Sequence, residues 1–286
     1  MEPLPDLFID QIHVVTGGGS GIGRCTAHEL ASLGSTVVLL GRKPEKLERT
    51  AAEIEEDGGR VQWHVCDIRE EETVRQTVER ILADHPRVHG LVNNAGGQFP
   101  SPLSEISQKG FETVVRTNLV GGFLMAREFY RQHFSRQGGV IVNIVADMWQ
   151  GMPGMGHSGA ARAGMVNFTM TAALEWAPSG TRVNAVAPGW IASSGLDTYS
   201  GPIQAIIPQL KESVPLKRLG TESEISAGIC FLLSPAAAFI NGTTLAIDGG
   251  APLMSSLWPT PNHENSTPFH GFHRAITPQI LRQSDG

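Results

Sequence analysis

The sequence predicts an α/β protein built on a doubly wound, seven-stranded parallel sheet with helices on both faces. Two observations predict it. Short apolar runs alternate with longer helical patterns along most of the chain, and a glycine-rich turn directly follows the first apolar run. Strands alternating with helices imply β-α-β crossovers, which lay helices over both faces of a parallel sheet.

His13-Val14-Val15 reads as the first buried strand, followed by the turn Gly17 to Gly23 and a helix through Leu33. Thr36 to Leu40 is the second strand, and Glu45 to Glu56 a charged surface helix. Val61 to Val65 is the third strand, and Glu70 to Ala83 a helix with apolar residues at helical spacing. Gly90 to Val92 is the fourth strand, ahead of a long helix from Gln108 to Arg136. Val140 to Val145 is the fifth strand and Gly159 to Trp176 the next helix. Arg182 to Val186 and Leu245 to Ile247 supply the last two strands, with a helix over Glu222 to Leu233 between them. No linker interrupts this pattern, so residues 1–250 read as one domain.

Ser193 to Leu219 breaks the alternation and is rich in Pro, Gly and Ser. It follows a strand's carboxyl end, the place for a mobile substrate lid; an ordinary surface loop is the alternative. The extension 251–286 holds five prolines and several histidines without periodicity. It reads as an arm packed along the surface or on a neighbouring subunit.

Of the 286 residues 41% are apolar, enough for a sizeable core. A net charge of −6 leaves no electrostatic footprint for nucleic acid. Cys25, Cys66 and Cys230 fit no zinc or haem spacing, and His263, His270 and His273 form no metal-ligand pattern, so no metal is expected. The start, MEPLPDLFIDQ, is acidic and poor in apolar residues, unlike a signal peptide. No apolar run approaches the ~18 residues that span a bilayer. The end, RQSDG, is no peroxisomal address. A soluble cytoplasmic protein without a membrane partner is expected.

Thr16-Gly17-Gly18-Gly19-Ser20-Gly21-Ile22-Gly23 lies between a strand and a helix. Glycines there permit a tight turn and bring backbone N–H groups to a pyrophosphate at the helix N-terminus, as in a Rossmann fold. An NAD site carries an acidic residue after the second strand. This chain has Gly41-Arg42-Lys43, with Arg24 close behind the glycine turn. A guanidinium binds a 2′-phosphate bidentately where a carboxylate repels it. Arg42 and Lys43 therefore indicate NADP(H), against the alternative of a solvated helix start.

Together these residues resemble the short-chain dehydrogenase/reductase family over about residues 10–250. The likeness rests on the glycine turn, Asp67, Asn93-Asn94-Ala95-Gly96, Asn118, Asn184 through Pro188-Gly189, and Asp248-Gly249-Gly250. The resemblance implies an adenine contact at Asp67, with Ile68 beside it, and a nicotinamide contact at Ile191 and Ser193. The cofactor set it implies is Gly17, Gly19, Ser20, Gly21, Ile22, Gly23, Arg42, Lys43, Asp67, Ile68, Asn94, Ala95, Gly96, Asn118, Arg162, Pro188, Gly189, Ile191 and Ser193. It also implies a homodimer or homotetramer built through the long helices that contain Asn118 and Arg162.

The family's catalytic Asn, Ser, Tyr and Lys correspond here to Asn118, Val145, Ser158 and Arg162. Ordinary members use an ammonium to lower the tyrosine pKa, so the phenol exchanges a proton with a carbonyl or alcohol. A serine hydroxyl is far less acidic. Ser158 is a poor acid or base but a good hydrogen-bond donor, suited to a transition state that builds an oxyanion. Reduction of a C=C bond conjugated to a thioester is such a reaction. The string His157-Ser158-Gly159-Ala160-Ala161-Arg162-Ala163-Gly164 is similar to that of peroxisomal trans-2-enoyl-CoA reductases, with the 2,4-dienoyl-CoA reductases as relatives. Those peroxisomal enzymes place a tyrosine eight residues after the serine; this chain has Val166. The remaining acid–base candidates are Asp147, His157 and Tyr199.

The expected catalytic residues are thus Asn118, Ser158, Arg162 and Asp147. Met148, Trp149, Met152, Met155 and Trp190 are candidates for an apolar acyl pocket. The expected activity is NADPH-dependent reduction of trans-2-enoyl-CoA-like substrates, with an acyl-CoA as the small-molecule partner. Two alternatives stand beside it: an NADP-dependent dehydrogenase or reductase of aliphatic or terpenoid alcohols, aldehydes or ketones, and a catalytically silent NADP(H)-binding protein.

Overall fold

A computed structural model describes residues 7–199, 201, 203–255 and 257–282. The first six residues and the last four, on which the signal-peptide and address readings partly rest, lie outside the described residues, as do Ser200, Pro202 and Ser256 within the lid and extension. In chain order the elements begin with β1 (Ile12–Thr16), α1 (Gly21–Ser32), β2 (Thr36–Gly41), α2 (Pro44–Glu56), β3 (Arg60–Val65), α3 (Glu71–Asp84) and β4 (Gly90–Asn93). They continue with α4 (Gln108–Val115), α5 (Gly121–Phe129), α6 (Ser135–Gln137), β5 (Gly139–Ile144), α7 (Gly156–Glu175) and β6 (Thr181–Pro188). The last are α8 (Ile203–Ile206), α9 (Glu222–Leu233), β7 (Thr244–Ile247) and α10 (Gln279–Arg282).

All seven strands pair in parallel, in the order β3-β2-β1-β4-β5-β6-β7. This is the doubly wound sheet the alternation predicts. Side chains alternate across a strand, so neighbours serve opposite cores. Val15 and Leu39 pack with Leu30 of α1 and Ile225 and Ile229 of α9; Val14 and Val38 pack with Val74 and Val78 of α3 and Met125 and Phe129 of α5. Strand order reverses between β1 and β4, which opens a crevice at the carboxyl edge of the sheet.

Three differences from the predicted elements shape that crevice. The long helix is not uniform: π turns at Arg116–Val120 and Tyr130–Phe134 link α4, α5 and α6. Such a bulge re-aims a side chain, here Asn118. Helix α7 starts three residues early, at Gly156, so His157 and Ser158 sit in its first turn. Strand β5 ends at Ile144, and Val145 keeps only a backbone bond to the Val186 carbonyl.

The stretch after β6 folds into short turns and α8, anchored by buried Leu196, Ile207 and Val214. The extension crosses the molecule's own surface. Phe272 is buried beneath the Arg24 guanidinium, which stands 4.9 Å from its ring centre, and Arg274 pairs with Glu56 at the end of α2 and with Asp57, its C-cap.

Candidate active site

The brace between β1 and β4 comes first. Thr16 Oγ1 accepts the backbone N–H groups of Asn94 (3.0 Å) and Ala95 (2.9 Å), and Asn94 Nδ2 donates to the Thr16 carbonyl at 2.9 Å. A Cβ on Gly23 would stand 2.3 Å from Asn94 Nδ2 and 2.5 Å from the Gly17 carbonyl oxygen, so only glycine fits. Gly17 and Gly21 take positive φ angles of 68° and 58°, which L side chains avoid.

Beside this turn a cavity of about 250 Å³ is lined by Gly17, Ser20, Arg42, Asp67, Ile68, Asn94, Ala95 and Gly96, among others. Arg42 is exposed there and has no ion-pair partner among the described residues. Its neighbours on the sequence behave otherwise. Lys43 occupies the N-cap of α2 and does not line the cavity, and Gly19 packs against Lys46. Arg24 is withdrawn altogether: its Nε donates to Glu53 at 2.6 Å and its face covers Phe272, so it offers nothing to a phosphate. Nor is the Asp67 carboxylate free. Arg69 holds it with two side-chain bonds, at 2.9 and 2.5 Å, and these lower its pKa.

The crevice widens into a cavity of about 840 Å³ over β4, β5 and β6. Ile22, Asn94 and Gly96 line it from the turn side; Val145, Asp147, Pro188, Gly189, Ile191 and Ser193 line it from the strand ends. A Cβ on Gly189 would stand 2.7 Å from Asp248 Cα, which keeps that edge tight. Burial pulls the Arg162 guanidinium down to about 10. Its Nη1 donates to the Ile144 carbonyl, and its buried Nε has no partner. An orphaned buried donor in a lined crevice fits an acceptor oxygen of a bound group. Burial, and then the charge of Asp248, raise the Asp147 pKa.

Four side chains from four parts of the chain form a hydrogen-bonded series. Asn118 Oδ1 accepts the Gly97 N–H at 2.8 Å, and its Nδ2 donates to Ser158 Oγ at 3.5 Å. The Ser158 hydroxyl donates to Gln98 Oε1 at 2.6 Å. Gln98 Nε2 then donates to the Tyr199 hydroxyl at 2.9 Å. Ser158 is fully buried and does not line the cavity; Gln98 and Tyr199 do. The hydroxyl expected to meet substrate thus spends its proton on Gln98. Val145 in the serine slot is buried against Met165, Ala185 and Ala187. His157 is packed edge-on to Phe99 at 4.4 Å, and neither Met148 nor Trp149 lines the cavity, whereas Met152, Met155 and Trp190 do.

A family model described as enoyl-(acyl carrier protein) reductase matches residues 17–252. The chain belongs to the short-chain dehydrogenase/reductase family. It is therefore an oxidoreductase of a family that uses NAD(P)H. It is 38% identical over 256 residues to a zebrafish (Danio rerio) peroxisomal 2,4-dienoyl-CoA reductase, (3E)-enoyl-CoA-producing, covering 88% of this chain and 85% of the relative. It is 36% identical to a Bacillus subtilis protein named "probable 2,4-dienoyl-CoA reductase", (2E)-enoyl-CoA-producing, covering 83% and 94% of the two chains. A solved structure, the citronellol catabolism dehydrogenase AtuB of Pseudomonas aeruginosa PAO1, is 66% identical over 86% of this chain and 97% of its own, with a TM-score of 0.79.

Sequence reasoning missed three residues in this short-chain dehydrogenase/reductase. Gln98 follows the asparagine-rich turn at the sheet's carboxyl edge, which was its one available signal. Arg69 meets Asp67 only once β3 has turned into α3. Glu222 heads α9 and brings its carboxylate within 3.8 Å of where a Gly21 Cβ would stand. Burial raises its pKa from 4.5 to about 7, against the opposing effects of Arg24 and the Ser194 backbone.

A raised carboxylate favours the protonated folded state, so its contribution to stability is full below its unfolded value and fades as pH rises to about 7. Glu222→Gln removes that titration. Its melting temperature, relative to the unsubstituted protein, should climb between pH 5 and pH 8; a constant difference across that range contradicts the assignment.

Proposed function

We propose that this protein is an NADPH-dependent reductase of a C=C bond conjugated to a thioester, with trans-2-enoyl-CoA-like substrates. One observation carries the reading: the cavity is lined by the Gln98 amide, whose Oε1 is taken by Ser158 and whose nitrogen carries the donors, and no ammonium stands where ordinary members activate their phenol. Such donors suit charge that collects on a thioester oxygen. The dienoyl-CoA reductase relatives support an acyl-CoA partner.

NADPH, when bound, supplies the hydride. Arg42 would hold the 2′-phosphate, Ser20 and the glycine turn the pyrophosphate, and Arg162, whose buried Nε has no partner, the nicotinamide ribose. Ser193 and Ile191, which line the larger cavity, would flank the nicotinamide. Gln98 gives its second N–H, which has no protein acceptor among the described residues, to the thioester oxygen. Ser158 and Asn118 are positioning residues that fix which end of that amide faces the cavity. Val145, Met152, Met155, Trp190 and Leu210 offer the acyl chain an apolar wall. Residues 193–219 act as the lid. Exposed Phe111, Phe123, Met170 and Leu174 on α4, α5 and α7 support a homodimer or homotetramer; among the described residues no helix is long and apolar enough to cross a membrane.

A second reading, dehydrogenation or reduction of aliphatic or terpenoid alcohols, aldehydes or ketones, is favoured by the 66% identity to the citronellol catabolism dehydrogenase. A panel separates the two. NADPH oxidation is followed with crotonyl-CoA, longer 2-enoyl-CoAs and 2,4-dienoyl-CoAs, and NADP⁺ reduction with alcohols. Turnover of the enoyl thioesters is expected; turnover of alcohols alone displaces the first reading. On the active substrate, Arg42→Ala should raise the KM for NADPH at least about tenfold, the loss of one charge-assisted hydrogen bond, and leave NADH unaffected. Equal effects on both cofactors contradict the 2′-phosphate role.

A further inference from the structure

We infer that Tyr199 gives the substrate its proton, and that the C-terminal extension positions it through Asp197. The inference rests on reading the 840 Å³ cavity as a reductive site.

Direction along the hydrogen-bonded series supports it. Asn118 donates to Ser158, Ser158 to Gln98, and Gln98 to the Tyr199 oxygen. Each group hands its hydrogen to the next, so the phenol receives a bond and keeps its own O–H. Among the described residues no acceptor takes that hydrogen, and Tyr199 lines the cavity. The chain has two tyrosines, and the other, Tyr130, is stacked on Trp176 with ring centres 4.3 Å apart. Tyr199 is thus the phenol of the site. The Gln98 N–H strengthens when its acceptor becomes charged, so it stabilises the phenolate that proton transfer leaves behind.

Position is supplied from far along the chain. The Asp197 carboxylate, two residues before Tyr199, accepts the backbone N–H groups of Gln279 and Ile280, each at 3.1 Å. The extension that carries them is fastened by buried Phe272 and by Arg274 on Asp57, and it touches the lid again where Arg218 Nε donates to Ser266 at 2.9 Å. Local bonds add to this: the Tyr199 N–H reaches the Leu196 carbonyl at 3.4 Å, and the Tyr199 carbonyl accepts Gln204 Nε2 at 2.9 Å.

The step balances as follows. The substrate β-carbon gains a hydride from the reduced nicotinamide, which is oxidised, and the π pair moves onto the thioester as an enolate. The enolate pair forms a C–H bond at the α-carbon with the phenol proton, the O–H bond breaks, and water reprotonates the phenolate. With a carbonyl substrate the same proton goes to the alkoxide oxygen.

Tyr199→Phe is compared with the unsubstituted protein on whichever substrate the latter turns over. kcat should fall about 100-fold, the lower range for losing a general acid. Affinity for butyryl-CoA and NADPH by calorimetry should stay the same, the solvent deuterium isotope effect should rise, and the effect of deuterated NADPH should shrink. Asp197→Ala should lower kcat about tenfold through misplacement, with NADPH affinity unchanged. A Tyr199→Phe kcat within twofold of normal, or isotope effects that move in Asp147→Asn instead, overturns the proposal. Turnover of carbonyls alone defeats the enoyl reading yet leaves this test intact; no turnover of any substrate defeats both.

Discussion

The proposed chemistry of this site depends on the 2.6 Å hydrogen bond from Ser158 to Gln98. A serine hydroxyl has one proton to give. Once that proton is committed to Oε1, the amide keeps its nitrogen, with two N–H donors, on the side of Tyr199, which lines the cavity. One serves Tyr199. The other has no protein acceptor among the described residues, and the proposed reading gives it to the substrate. A residue that is itself shut away from the cavity therefore determines what the cavity presents.

That bond depends in turn on how the backbone is held. Thr16 and Asn94 tie β1 to β4 at the point where the strand order reverses, and the chain that leaves this tie carries Gly96, Gly97 and Gln98 over the crevice. The π turn in the long helix aims Asn118 at the same stretch, where its Oδ1 fixes the Gly97 N–H. Gln98 is thus held at its backbone by one neighbour and at its side chain by another. Fastening of this kind is what electrostatic stabilisation requires, because donors that are already oriented need no reorganisation as charge develops.

The sheet was legible because its signals are local. Alternating Val14 and Val15, the turn Gly17 to Gly23, and Asn118 can each be read within a few residues of themselves. What escaped was set by distance. Gln98 has partners 60 and 101 residues away, and no spacing rule connects them. Arg24 looked free for a phosphate beside the glycine turn, yet Glu53 and the extension, about 250 residues downstream, take it. Ser158 was recognised as a donor, but the identity of its acceptor belongs to tertiary structure. Helix α7 starts three residues before the predicted Gly159, because Met155 takes the N-cap and Gly156 the first helical position.

A double-mutant cycle on kcat, with Ser158→Ala, Gln98→Ala and the pair, tests the central claim most directly. If Ser158 acts only by orienting Gln98, the pair loses no more than Gln98→Ala alone, because the serine has nothing left to orient. Losses that multiply, as for independent groups, would mean that Ser158 touches the reacting oxygen itself, and the account given for this site would fail.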